Sequence, residues 1–205
     1  MPEPLKAVPL IVELSRYNKF CNLEAAKLGG VEEVFIAMGI GMLADPYAAL
    51  HWQMARELEL RRSCYWAFDP RQDPRHQADA WRAMLMTVDY DERVDEAYGD
   101  FEIAGVMTQA TRAERTYRFL ETIRLEAASN VGIYTRASWW DPMIGAQRQW
   151  PAEFPLNVAH YNVLILQPAL PRAWKVKGWR LWQYVCQRST IPGITGEITL
   201  LRRSA

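Results

Sequence analysis

Two acids stand one residue apart in the stretch "AYGDFEIAGV", residues 97–106. They are Asp100 and Glu102, with Phe101 between them and Ile103 after. Charged groups seldom enter an apolar strand unless they are paired or used. On a strand, residues two apart face the same side. Both carboxyls would therefore share one face, and Phe101 and Ile103 the other. Two carboxyls held close cannot easily both ionise, and burial adds to the effect, so one pKa rises. A glycosidase needs such a pair: one acid still protonated near neutral pH, and one carboxylate facing developing positive charge. A structural reading fits the same residues: a buried Asp capping backbone amides beside a Glu salt-bridged to an arginine.

Other chemistries find less support. Cys21, Cys64 and Cys186 are widely spaced and odd in number, with no Cys-x-x-Cys, which argues against a disulfide framework or a zinc site. His51 and His76 fall on expected helices and read as surface groups, and His160 reads as a core histidine on a strand. No His/Asp/Glu spacing supports a metal, and no cofactor is expected. Ser15 lacks a Gly-x-Ser-x-Gly elbow, and "GGVEEVFIAMGIG" lacks the dinucleotide glycine register. The acidic run "VDYDERVDEAYGDFE" lacks a calcium-loop register, so Asp89 to Glu96 read as a solvated loop leading into a strand. Of the 9 Trp, five fall in expected loops: Trp139, Trp140, Trp150, Trp174 and Trp179. Flat aromatic faces bind sugar rings, but packing is the commoner use at any one position.

The elements that must carry the acid pair are legible as a pattern. Runs rich in β-branched and aromatic residues cover 8–14, 31–40, 63–68, 97–103, 131–137, 155–162, 179–185 and 197–202. A helical segment follows each of the first five. "NLEAAKLGG" ends in glycines, as a helix C-terminus prefers. "DPYAALHWQMARELELRR" and "DPRHQADAWRAMLMTV" both open on Asp-Pro, an N-cap followed by Pro at the first helical position. "TRAERTYRFLETIRLEAASN" places Tyr117, Leu120, Ile123 and Leu125 on one apolar flank, and "SWWDPMIGAQRQW" reads as a broken helix. After residue 155 helices stop. Five βα units and three further strands predict a parallel sheet or barrel. Eight strands fit a closed barrel, with a doubly wound sheet as the other solution. In a barrel, function collects at the C-terminal strand ends, where the acid pair lies.

The totals bound the rest. The 205 residues, half of them hydrophobic, predict a single domain over 1–205 with a sizeable core. The 24 basic and 24 acidic residues cancel, giving no electrostatic grip on nucleic acid or anionic membrane. No run approaches a membrane span. The N-terminus has no apolar secretory region, so a cytoplasmic location at synthesis is expected.

The order of motifs resembles the family 25 glycoside hydrolases, the muramidase family of bacterial and phage lysozymes, over nearly the whole chain. "IVELSRYN" is similar to the family's opening Asp-x-Ser-x-Tyr/Trp-Gln strand, and "VEEVFIAMG" resembles its second. "CYWAFDPRQDPRHQADAW" resembles its Tyr-His-Phe strand and Gln-Ala helix. "GDFE" is similar to its Asp-x-Glu signature, "VGIYTRASWW" to its Ile-Tyr-Thr strand and "NVAHYN" to its Trp-x-Ala-x-Tyr strand. "WRLWQYVCQRSTIPGITGEITL" looks like its closing Trp-Gln-Tyr and Gly-x-Val-Asp-x-Asn segment. The resemblance implies an irregular TIM-like (β/α)5(β)3 barrel that cleaves the β-1,4 bond after N-acetylmuramic acid in peptidoglycan. It implies Glu102 as general acid. Asp100 would steady the substrate's acetamido group or the charged intermediate, with the acetamido oxygen acting as internal nucleophile. Glu13, Tyr65, Tyr134, Tyr161 and Gln183 match positions lining the family cleft and are candidate sugar contacts.

Three departures accompany the resemblance. Glu13 replaces an Asp and reaches one methylene further. Near the end, Thr199 stands for a second Asp and Leu201 for an Asn. The family's strand-three His is absent, with Trp66 or Ala67 in its place. Losing an anion would weaken transition-state stabilisation by a few kcal/mol if that group acts electrostatically. Two functions follow as expectations: a phage- or prophage-type lysozyme acting at the bacterial wall, or a catalytically impaired barrel serving as a glycan-binding or structural module, for instance in a phage particle.

Overall fold

The computed structural model describes residues 10–161, 167–188, 191–194 and 197–204, without the side chains of 187–188 and 197–199. Eight strands close into a barrel, joined in the order β1 (Leu10–Leu14), β2 (Val31–Ile40), β4 (Arg61–Ala67), β5 (Glu96–Asp100), β6 (Gly132–Thr135), β7 (Leu156–Ala159), β8 (Leu181–Arg188) and β9 (Glu197–Arg203). Neighbours from β1 to β8 are parallel, and β9 runs antiparallel to β8 and β1, which completes the ring. The barrel is the closed solution; the doubly wound sheet is not formed. A two-residue strand, β3 (Leu43–Ala44), pairs antiparallel with the end of β2 as a small hairpin that the hydrophobic pattern did not announce. Its turn carries Gly41 at φ +57°, a conformation glycine adopts without strain.

Five helical segments follow the first five barrel strands: α1 (Leu23–Leu28), α2 (Ala48–Glu57), α3 (Pro74–Thr87), α4 (Gln109–Glu126) and α5 (Ala137–Trp140). Their boundaries have local causes. The Asn22 side chain accepts from Ala25 N–H at the start of α1, and Asp73 accepts from Arg75 and His76 N–H at the start of α3, with Pro74 at its first position. The second Asp-Pro behaves differently. Asp45 accepts from the amides of Tyr47 and Arg16, and α2 begins only at Ala48. The broken helix after β6 is present, α5 passing into a wider turn at Asp141–Gly145.

Outward residues of the strands (Val12, Leu14, Cys64, Trp66, Ile133) pack with the helices in one large core. Trp140 sits at its centre, edge-on to Trp174 at 5.2 Å and to Phe101 at 5.9 Å. Trp139, Trp140 and Trp174 are therefore packing groups, and Trp150 and Trp179 are half-buried beside the same core. Inward residues Ile11, Phe35, Tyr98, Tyr134, Ala159, Leu181 and Leu201 fill the barrel. Gly132 makes room for one of them: a Cβ there would fall 2.5 Å from the Tyr98 ring.

Several expectations are corrected. His51 is not a surface group but is buried under α2, stacked on Tyr47. The inner flank of α4 is Ala113, Thr116, Phe119, Leu120 and Ile123, while Leu125 is 76 % exposed and Tyr117 lies at the edge. The acidic run is not wholly solvated: Asp95 is buried and ion-paired with Arg62 at 2.8 Å, and Glu96 turns into the barrel. Of the three cysteines, Cys64 is buried, Cys21 half-buried and Cys186 exposed.

Candidate active site

At the C-terminal ends of the parallel strands, a cavity of about 210 Å³ is lined by Glu13, Phe35, Tyr65, Asp100, Glu102, Tyr134, Tyr161 and Gln183. Each of the seven candidate site residues named from the sequence lines it. Strand alternation is the reason. β1 points Ile11 and Glu13 inward between outward Val12 and Leu14, β4 points Tyr65 inward between Cys64 and Trp66, and β6 does the same with Tyr134. Register then aligns the set, Asp100 lying opposite Ala67 on β4 and Tyr134 on β6. Strand β5 ends at Asp100, so Glu102 is not on the strand as expected but on the segment leaving it. It still reaches the mouth, while Phe101 turns away to pack on Phe68, Phe119 and Trp140.

One half of the cavity is a closed hydrogen-bond chain. Tyr65 donates to Glu13 Oε1 at 2.6 Å, and Gln183 Nε2 donates to Glu13 Oε2 at 2.8 Å. The Gln183 Oε1 accepts from the hydroxyls of Tyr134 and, at 2.8 Å, Tyr161. Burial pushes the Tyr65 and Tyr134 hydroxyls well above their ordinary range, with the Glu13 charge adding to the effect on Tyr65 and that of Glu102 to the effect on Tyr134. Burial pushes Tyr161 up to about 12. All three remain neutral donors at physiological pH. The Phe35 ring, stacked on Tyr65 at 4.9 Å, closes the bottom.

The other half is unsatisfied. Asp100 Oδ1 is shielded from solvent and has no hydrogen-bond partner. Burial first, then the charges of Glu102 and Glu13, hold the Asp100 carboxyl well above the usual carboxylate range, against the pull of Arg136. Burial also raises Glu102, while Arg136 lowers it and Glu13 raises it further. Arg136 Nε lies 3.2 Å from Glu102 Oε1. Half of the structural reading is thus present, a Glu paired with an arginine; its other half is absent, since Asp100 caps nothing.

The sequence missed two residues here. Phe35 was signalled only by its inward period on β2. Arg136 was signalled by a cation placed directly after a strand, in "YTRAS". Of the departures, Leu201 is buried among the apolar residues inside the barrel. Trp66 faces the helix layer, stacked on Trp81, so the position inside the barrel belongs to Ala67. The Thr199 side chain lies outside the described residues. Among the described residues, no group of three or more His, Cys, Asp or Glu could hold a metal ion, and no helix is long and apolar enough to cross a membrane.

A larger concavity, about 1010 Å³, opens at the opposite end of the barrel, lined among others by Arg61, Arg62, Glu96, Arg180 and Arg203. Its charges are largely paired: Arg203 and Arg180 both hold Glu96, and Arg62 holds Asp95. Size alone does not make it the site.

The sequence model of the glycosyl hydrolases family 25 matches residues 12–194. The chain belongs to that family. Its fold is similar to the bacterial lysozyme of Streptomyces coelicolor, at a TM-score of 0.81 and 19% identity over 98% of this chain and 94% of that one. It is similar also to the modular autolysin LytC of Streptococcus pneumoniae, solved with a synthetic peptidoglycan ligand. That match has a TM-score of 0.80 and 15% identity, over 97% of this chain and 47% of LytC. In sequence it is 28% identical over 158 residues to the uncharacterized protein YegX of Escherichia coli, covering 76% of this chain and 53% of YegX. The family 25 chain thus spans about half the length of that relative.

Proposed function

We propose that this chain is a lysozyme: an N-acetylmuramidase that hydrolyses the β-1,4 bond of peptidoglycan at the bacterial wall. The observation that carries the reading is the pairing of an unpartnered, shielded Asp100 Oδ1 with Glu102 at one open mouth, both carboxyls raised. A raised Glu102 keeps its proton to higher pH and donates it to the leaving glycosidic oxygen. The acetamido oxygen of the sugar attacks C1 as that bond breaks. The acetamido N–H, growing more acidic, becomes the donor that Asp100 Oδ1 lacks. Water then opens the cyclic intermediate, its proton passing back to Glu102, and the anomeric configuration is retained. The cavity is smaller than the ~300 Å³ at which ligand pockets usually begin, so a glycan chain would lie across the mouth with one ring dipping into it. Membership of a hydrolase family and the likeness to a lysozyme fold support the reading.

The test is hydrolysis. Purified protein should clear a suspension of bacterial walls and release reducing ends with retained configuration, and Glu102→Gln should not. Wild-type protein that binds walls yet frees no sugar between acid and neutral pH would sink the enzyme and leave a glycan-binding module.

A further inference from the structure

The Arg136 side chain has a single described partner, and it is Glu102. The residue stands at the N-cap of α5, but its side chain makes no capping bond there, and the amides of Trp139 and Trp140 are received by its backbone carbonyl. Among the described residues nothing in the packing of the barrel uses the guanidinium, and the side chain is 49 % exposed. A long, costly side chain is thus fixed over one carboxylate at the rim. We propose that Arg136 is a positioning residue: it holds the Glu102 carboxyl at the edge of the mouth and decides over which pH range that carboxyl carries its proton.

The proposal rests on Glu102 being the acid of the reaction above. The groups facing Glu102 are few. Asp100 approaches from β5, Glu13 from β1, Tyr134 from β6, Tyr161 from the segment after β7 and Arg136 from the β6–α5 junction. The two tyrosines are neutral, and the two acids can only disfavour a charge on Glu102. Arg136 is then the one described cation that favours it, and an arginine cannot be switched off by pH. The contact is 3.2 Å through a single nitrogen and half-exposed, longer than the 2.7–2.9 Å of a strong charge-assisted bond. Such a pair biases its carboxylate without locking it, so an entering glycan can displace the guanidinium and leave the acid protonated in the complex.

Carboxyl-¹³C titration of the full chain, with the Glu102 signal assigned through Glu102→Gln, reads the effect without any substrate. In Arg136→Gln the Glu102 midpoint should move to higher pH, and in Arg136→Lys it should stay close to wild type. A midpoint unmoved in folded Arg136→Gln overturns the proposal. In wall hydrolysis, the alkaline limb of kcat/KM should move upward in Arg136→Gln by the same interval, and a fixed limb overturns it as well. If wild-type protein cleaves no wall, the lysozyme reading has failed, and the titration still decides whether Arg136 governs Glu102.

Discussion

The two ends of the barrel hold the same kinds of residue in opposite states. At the floor, Glu33 is fully buried and takes two bonds from Arg203, at 2.7 and 2.8 Å. Arg203 also donates to Glu96, as do Arg180 at 2.7 Å and Tyr98 at 2.8 Å. Burial pushes the Glu96 carboxyl up, but these donors outweigh it and hold it below the ordinary range. At the mouth, among the described residues, Asp100 has no donor and Glu102 a single loose one, and both are raised. A carboxyl supplied with donors is a structural anion. A carboxyl denied them stores a proton and a demand for a donor, which is what a substrate can meet. Between Glu96 and Asp100 the difference lies in partners, since burial pushes both up; Asp95, also at the floor, shows that burial can still win, being raised although Arg62 holds it at 2.8 Å.

The sharpest way to break the contrast is to neutralise one acid at each end and compare what is lost. Glu102→Gln should cut wall hydrolysis by about 10²–10⁴-fold, the usual worth of a general acid, while the thermal unfolding midpoint does not fall, since a carboxyl raised in the fold adds no stability at neutral pH. Arg203→Met should do the reverse. It leaves Glu33 buried and unpaired, which costs about 3–5 kcal/mol of stability, while the activity of the molecules that remain folded is little changed. Denaturant titration and turbidity assays on both variants check this. If Arg203→Met lost activity in proportion to Glu102→Gln with no fall in stability, the floor would be part of the chemistry and the contrast would fail.

How far this contrast could be read from the sequence differs between its halves. The mouth was legible because period-two strands fix direction: Glu13, Tyr65, Asp100 and Tyr134 each alternate with an outward apolar neighbour, and the family motifs mark the same positions. The barrel was legible from the spacing of strand and helix patterns. The floor was not. Glu96 sits in a run of acids that reads as solvated, and its partners Arg180 and Arg203 lie 84 and 107 residues away. No local pattern announces a pairing of that kind. Arg136 was hidden for a related reason: its charge faces Glu102 across two adjacent strand ends, a relation set by barrel closure. His51 reads as a surface group because it is polar, yet it shares the inner face of α2 with Ala48, Trp52 and Ala55 and stacks on Tyr47.

The smallest effect concerns stability against pH, and it carries opposite signs at the two ends. An unfolded Asp ionises near 3.9, whereas folded Asp100 keeps its proton to higher pH. Between those two values the unfolded chain has released a proton that the folded one still holds, so stability falls as pH rises through that window. Glu96 is held below its ordinary value, so its contribution is present at neutral pH and is lost as pH drops from the unfolded glutamate value through the folded one. Asp100→Asn removes the first slope alone. At neutral pH it should raise unfolding free energy by about 0.5–2 kcal/mol, the size of a typical stabilising substitution, and at pH 3, where Asp100 is protonated in both states, the gain should vanish. Glu96→Gln should lose stability at neutral pH and show a smaller deficit at pH 3. Denaturant midpoints for both variants at the two pH values read the result. An Asp100→Asn gain that persisted at pH 3 would mean that the mouth is destabilised by shape and not by charge.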